Sequence, residues 1–193
     1  MTYIAPDFLL DTCTVINLSY CAPVAAAFRR RYEGNACWVR ATHAELVRLR
    51  SRRPPHPQAG RAANWAATWL GAPIEISDEQ LLIATEGIQR DIAAGSTDSA
   101  LDHLGEAASI ALLQSLGKGR LISDDHAARA ESRKRGVKAV STVGIVAHLL
   151  TIVNSGIDRT MADLYLQTLQ ERKRMHAPLT SIDLLANDLG PWQ

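Results

Sequence analysis

The feature that most constrains the fold is a regular alternation of short apolar runs with longer stretches of helical spacing. Phe8-Leu9-Leu10 is a compact apolar run that stops at Asp11 and reads as a buried strand, and Val15 to about Tyr32 then carries apolar residues at helical spacing. Ala36 to Ala41 is a second strand candidate; Thr42 begins the next helix, which ends at the breaker Pro54-Pro55-His56-Pro57. A helix from about Ala59 to Leu70 sets Trp65 and Trp69 on one face, and Pro73-Ile74-Glu75-Ile76 gives a third strand. Ser77 and Gln80 have the spacing of a capping box for the helix after it. Beyond a break at Gly95-Ser96-Thr97, a helix is expected over about Asp102 to Leu116, ended by Gly117. Gly119 to Ser123 forms the fourth strand, a helix runs from about His126 to Arg135 and closes at Gly136, and Val137 to Val140 forms a short fifth strand.

Parallel neighbours need helical crossovers, so this alternation predicts a three-layer α/β/α sandwich on a mainly parallel sheet of four to five strands. There is no internal repeat and no long linker. A single domain is expected over residues 1–193, with 158–193 a C-terminal helical extension whose Leu164, Leu166 and Leu169 suggest packing.

Composition narrows the class. Apolar residues make up 47% of 193, enough for a real core, and the longest uncharged apolar stretch, Val143 to Val153, is far short of the ~20 residues of a membrane span. No basic-then-apolar signal opens the chain, so a cytoplasmic location is expected. Cys13, Cys21 and Cys37 form no C-x-x-C pair, which argues against a disulfide framework and a structural zinc site. The net charge of +1 conceals basic clusters at Arg29 to Arg31, at Arg48, Arg50, Arg52 and Arg53, and around Arg129 to Lys138. Such a chain can meet a polyanion while holding a cation elsewhere.

The acids give the chemistry. Ligands of an open parallel sheet bind at the carboxyl ends of its strands. Asp11 ends the first strand and Asp124 and Asp125 end the fourth; Glu45 opens the helix after the second, and Glu106 lies near the start of the helix that leads into the fourth, with Asp102 one turn earlier. Each also has a structural role open to it. Thr42 and Glu45 have the spacing of a capping box, either of Asp124 and Asp125 suits an N-cap, and Asp102 and Glu106 suit a helix N-terminus. Gathered at one edge, such carboxylates raise one another's pKa unless a cation neutralises them, and hard oxygen donors suit Mg²⁺ or Mn²⁺ better than zinc.

Four ordered segments carry a resemblance: Leu9-Leu10-Asp11-Thr12-Cys13-Thr14-Val15-Ile16-Asn17, Ala41-Thr42-His43-Ala44-Glu45, Leu104-Gly105-Glu106-Ala107-Ala108-Ser109-Ile110, and Leu121-Ile122-Ser123-Asp124-Asp125-His126-Ala127-Ala128-Arg129. Together they resemble the PIN domain family, as in toxins of the VapC kind, the last in its D-D-x-x-A-R form. The resemblance implies a divalent-metal-dependent endoribonuclease, the toxin of a toxin–antitoxin pair, with Mg²⁺ or Mn²⁺, an RNA substrate, a small antitoxin partner and often a homodimer. It puts Asp11, Glu45, Glu106 and Asp125 in the catalytic positions, with Asp11, Glu106 and either or both of Asp124 and Asp125 on the metal. Thr12 and Ser123 match supporting hydroxyl positions, and Asn17 is placed to orient Asp11 or to cap or face solvent. The family often has aspartate where Glu106 stands.

Other readings compete. A catalytically silent PIN-like module that binds RNA or protein would have lost acids, and none is lost. A haloacid-dehalogenase-like phosphatase would need a second acid two residues after Asp11, where Cys13 stands. All six histidines read as structural or solvent-facing, and the Trp65–Trp69 pair as packing more than base stacking. Arg48, Arg50, Arg52 and Arg53 are candidate RNA contacts, with a solvated face the alternative; Arg129 is another candidate contact, or steadies the charge of the Asp124-Asp125 pair. The alanine-rich stretch Val24 to Phe28 suits either core packing or a partner contact.

Overall fold

Strand β1 (Phe8–Leu10) is buried along its whole length, with Leu9 and Leu10 fully sealed, as a central strand covered on both faces must be. The computed structural model describes residues 6–94, 103–172 and 174. Among them the chain runs through α1 (Thr12–Ser19), α2 (Ala22–Tyr32), β2 (Ala36–Cys37), α3 (Arg40–Ser51), α4 (Ala59–Ala67), α5 (Glu79–Ala94) and α6 (Leu104–Leu116). It continues through β3 (Arg120–Ile122), α7 (His126–Lys134), β4 (Lys138–Val140), α8 (Thr142–Thr151) and α9 (Arg159–Glu171).

All pairings are parallel and the strand order is β2-β1-β3-β4. Alternate strand residues enter different cores. Phe8, Leu10, Ile122 and Val140 join Val15, Phe28, Leu46, Ile145 and Leu166 from α1, α2, α3, α8 and α9. Leu9, Leu121 and Ala139 join Ile88, Ile110 and Ala128 from α5, α6 and α7. The period-two side-chain alternation of a strand thus fills two helical layers, and the expected α/β/α sandwich is what forms. Each fully buried leucine or isoleucine contributes about 1.5–3 kcal/mol to holding the layers together.

Three local expectations change. The helix foreseen over Val15 to Tyr32 is two helices, broken at Tyr20-Cys21. Pro23 has no N–H to offer the Ser19 carbonyl, and that carbonyl instead accepts from Gln58 Nε2, 2.7 Å away. The strand foreseen at Pro73 to Ile76 reduces to one parallel bridge, Val39 to Ile74, closed by Ile74 N–H to the Trp38 carbonyl and Arg40 N–H to the Ile74 carbonyl, each 2.8 Å. The helix after it is capped by Asp78, whose Oδ1 accepts from Leu81 N–H at 3.0 Å, and not by Ser77.

The strand foreseen over Ala36 to Ala41 also stops at Cys37, because α3 already begins at Arg40. Most other boundaries lie within a few residues of those expected. α6 stops at Gly117, which takes the left-handed conformation, φ 63°, that a C-terminal glycine allows. The break at Gly95 to Thr97, together with Asp102, lies outside the described residues, as do residues 175–193 of the foreseen extension. α9 packs on α2 and α8, burying Leu166 and Leu169 while Leu164 stays 53% exposed. Val24, Ala25, Ala27 and Phe28 are core, so core packing accounts for these four positions, while Ala26 is exposed. Trp69 is buried and Trp65 packs beside it, ring centroids 5.3 Å apart, which is packing and not a base platform.

Candidate metal centre

β2 lies on one side of β1 and β3 on the other, so the chain leaves the carboxyl ends of β1 and β3 in opposite directions. A crevice forms at such a switch point. Asp11 N–H donates to the Ile122 carbonyl at 3.1 Å, and Thr14 Oγ1 donates to the same carbonyl at 2.7 Å, locking the start of α1 against the end of β3.

Asp11 is fully buried and caps α1, its Oδ1 accepting from Thr14 N–H at 2.6 Å. Burial pushes its carboxyl up to about 7; hydrogen bonds from Ser123 and Thr14 oppose that, and the Asp124 charge adds to it. Glu106 projects from the first turn of α6, only 4% exposed, and its Oε2 meets no hydrogen-bond donor among the described residues. Burial, then the charges of Asp11, Glu45 and Asp125, push Glu106 well above the usual carboxylate range.

Glu45 reaches the cleft from α3. The foreseen capping box is absent: α3 starts two residues before Thr42, and Glu45 Oε2 accepts instead from Thr12 Oγ1 at 2.6 Å. The close approach of α3 to α6 that brings Glu45 beside Glu106 depends on Gly105, where a Cβ would stand 2.9 Å from Thr42 Oγ1.

The adjacent acids after β3 divide. Asp125 caps α7 through Oδ1, which accepts from Ala128 N–H at 2.9 Å, while its Oδ2 lies 3.7 Å from His103 Nδ1. Asp124 points to α8. Its carboxylate accepts from Asn17 Nδ2 at 2.6 Å, from Thr142 N–H at 2.8 Å and from the Thr142 hydroxyl. It therefore ties α1, β3 and α8 together and belongs to neither group of converging ligand atoms. Asn17 accordingly orients Asp124 and not Asp11, and its Oδ1 accepts from Arg174 Nε at 3.1 Å.

Two sets of donor atoms converge. Those of Asp11, Cys13 and Glu106 all lie within 4.8 Å of one another, and so do those of His103, Glu106 and Asp125. Glu106 belongs to both. The Cys13 thiol, pushed well up by burial and then by the charges of Asp11, Glu106 and Asp124, stays protonated and lies within 3.5 Å of Asp11 Oδ2, toward which it donates. A neutral thiol is a poor ligand for a hard cation. The oxygens of Asp11, Glu106 and Asp125 can hold a metal ion, and the unpartnered Glu106 Oε2 is the atom that most needs one.

The cleft over these groups, about 430 Å³, is lined by Cys13, Glu45, Arg48, Leu49, Arg52, His103, Glu106 and Asp125. Of the candidate RNA-binding arginines, Arg48 and Arg52 thus line it. The Arg50 stem runs beside Gly60 of α4, Arg53 is exposed outside the lining, and Arg129 Nη1 donates to the Ser123 carbonyl at 2.8 Å. Ser123 Oγ accepts from Asp125 N–H at 3.1 Å, a supporting contact of the kind foreseen.

His103 was passed over by sequence reasoning. It stands at the N-cap of α6, one turn before Glu106, and is 2% exposed. The signal was its H-x-x-E spacing, which puts both side chains on one face at the head of the helix. Comparison with family models, with curated proteins and with solved structures gives no match.

Proposed function

We propose that this chain is a divalent-metal-dependent endoribonuclease of the PIN kind, acting as the toxin of a toxin–antitoxin pair. The observation that carries the reading is that ligand atoms of Asp11 and of Asp125, from separate segments, each lie close to those of Glu106 at the β1/β3 switch point, where Glu106 and Asp125 line a cleft with Arg48 and Arg52. An acid cluster buried at a strand edge is costly to fold unless a cation offsets its charge, so its presence argues for use.

Asp11, Glu106 and Asp125 would hold Mg²⁺ or Mn²⁺, which when bound lowers the pKa of a coordinated water and stabilises charge developing on a phosphodiester. Glu45, held by Thr12, stands at the same cleft and can take a proton from the attacking water. Arg48 and Arg52 supply positive charge where a phosphate backbone would lie against the acids. The toxin role, the small antitoxin and a homodimer follow from the sequence resemblance.

The test is cleavage of RNA with Mg²⁺ or Mn²⁺ against EDTA. Asp11→Asn and Glu106→Gln should each lower the rate by at least about a hundredfold, the equivalent of about 3 kcal/mol of lost transition-state stabilisation. Activity that survives both substitutions refutes the reading. Growth arrest on expressing the wild type, but not Asp11→Asn, would support the toxin role.

A further inference from the structure

The donor set around Glu106 contains a nitrogen that an all-carboxylate site would lack. His103 is 2% exposed, yet among the described residues neither ring nitrogen donates or accepts a hydrogen bond. A buried imidazole left in this state forfeits about 1–3 kcal/mol for each polar atom that stays unsatisfied. Its position is fixed by α6, at whose N-cap it stands, and its ring faces the cleft between Glu106 and Asp125.

The Nδ1 to Asp125 Oδ2 distance, 3.7 Å, is too long for a hydrogen bond. It fits two donors sharing an ion. Donor atoms about 2.1 Å from one metal lie about 3.0 Å apart at right angles and about 4.2 Å apart when opposed. Glu106 Oε2, buried and without a donor, is the third atom in reach. Two side chains with unpartnered buried atoms thus face one point from the same helix turn, and Asp125 closes the set from the next strand end.

We propose that His103 is a nitrogen ligand which, with Glu106 and Asp125, forms a mixed nitrogen–oxygen site that selects a first-row transition ion, Mn²⁺ among them, over Mg²⁺. This rests on the metal-dependent reading of the same cleft. Imidazole coordinates first-row transition ions, whereas Mg²⁺ prefers oxygen and keeps much of its water. Asp11, on the far side of Glu106, remains available to the same ion or a second one.

The test uses the full chain, stripped of metal and free of RNA, titrated calorimetrically with Mn²⁺ and with Mg²⁺. Wild type should bind Mn²⁺ at least about tenfold more tightly than Mg²⁺. His103→Gln should weaken Mn²⁺ binding by about 10–100-fold while leaving Mg²⁺ affinity nearly unchanged. Pulsed EPR of the wild-type Mn²⁺ complex should show a histidine ¹⁴N coupling that is lost in His103→Gln and kept in His126→Gln, the neighbouring exposed histidine. The wild-type spectrum is informative even if the variant folds poorly. Mn²⁺ bound without nitrogen coupling overturns the inference and leaves the metal-dependent reading standing. Failure of both ions to bind overturns both.

Discussion

Thr12 Oγ1 donates to Glu45 Oε2 across 2.6 Å, fastening the first turn of α1 to the first turns of α3. The two residues are 33 positions apart and each follows a strand end, so the bond fixes where Glu45 stands relative to Asp11. Thr12→Val keeps the side-chain shape and removes the donor. Metal-dependent RNA cleavage should fall about 10–100-fold, the usual cost of losing a group that orients a site carboxylate. Thr12→Ser should retain most of it. Equal rates in wild type and Thr12→Val would show that Glu45 needs no such support.

Asp124 predicts the opposite pattern. Its carboxylate is spent on Asn17 and on the backbone and hydroxyl of Thr142. Asp124→Ala strands those donors, at about 1–3 kcal/mol for each left buried and unsatisfied. Urea unfolding should show a loss of about 2 kcal/mol or more, discounted because the site is only part-buried, whereas Mn²⁺ affinity of the folded protein should hold. A large fall in Mn²⁺ affinity with stability intact would make Asp124 a ligand after all.

The contrast between these neighbouring acids shows what the sequence could and could not convey. Apolar runs and breakers read the layers and the parallel sheet correctly because burial on two faces leaves a strong local mark at Phe8–Leu10 and Arg120–Ile122. Strand ends located Asp11 and Asp125. The direction in which Asp124 turns depends on Thr142, 18 residues later, and no local pattern encodes that. The single bridge at Ile74 likewise depends on how far α3 intrudes on β2: Arg40 already begins the helix, leaving little edge to pair. His103 was legible in principle, one turn ahead of Glu106, but its burial was not.

Gly105 tests the α3–α6 approach. A Cβ there would meet Thr42 Oγ1 at 2.9 Å and the Thr42 Cα at 3.4 Å, and Thr42 is itself fully buried and β-branched, with little room to give. Gly105→Ala raises helix propensity by up to about 1 kcal/mol, so on local grounds it should stabilise α6. Overpacking, typically costing about 1–3 kcal/mol, should win. Thermal unfolding should therefore come earlier, and Mn²⁺ affinity should fall as Glu106 moves away from Asp125. A stabilised variant with unchanged affinity would show that the two helices can part without cost.

The buried acids also set a pH dependence. An unfolded aspartate titrates near about 3.9, but Asp11 in the fold titrates at about 7. Between those values the folded chain holds a proton that the unfolded chain has released, so this group's contribution to stability falls as pH rises through the window and stays low above it. Glu106, raised by burial and by its acidic neighbours, acts in the same direction. Asp11→Asn keeps an oxygen for Thr14 N–H and has no charge to bury. In EDTA, its melting temperature relative to wild type should therefore climb between pH 5 and pH 8, by roughly 2–4 °C for each kcal/mol relieved. Saturating Mn²⁺ should reverse the order at pH 8, because wild type gains the binding free energy that the variant has lost. A difference that stays flat with pH in EDTA would mean that Asp11 is already ionised, without penalty, in the metal-free fold.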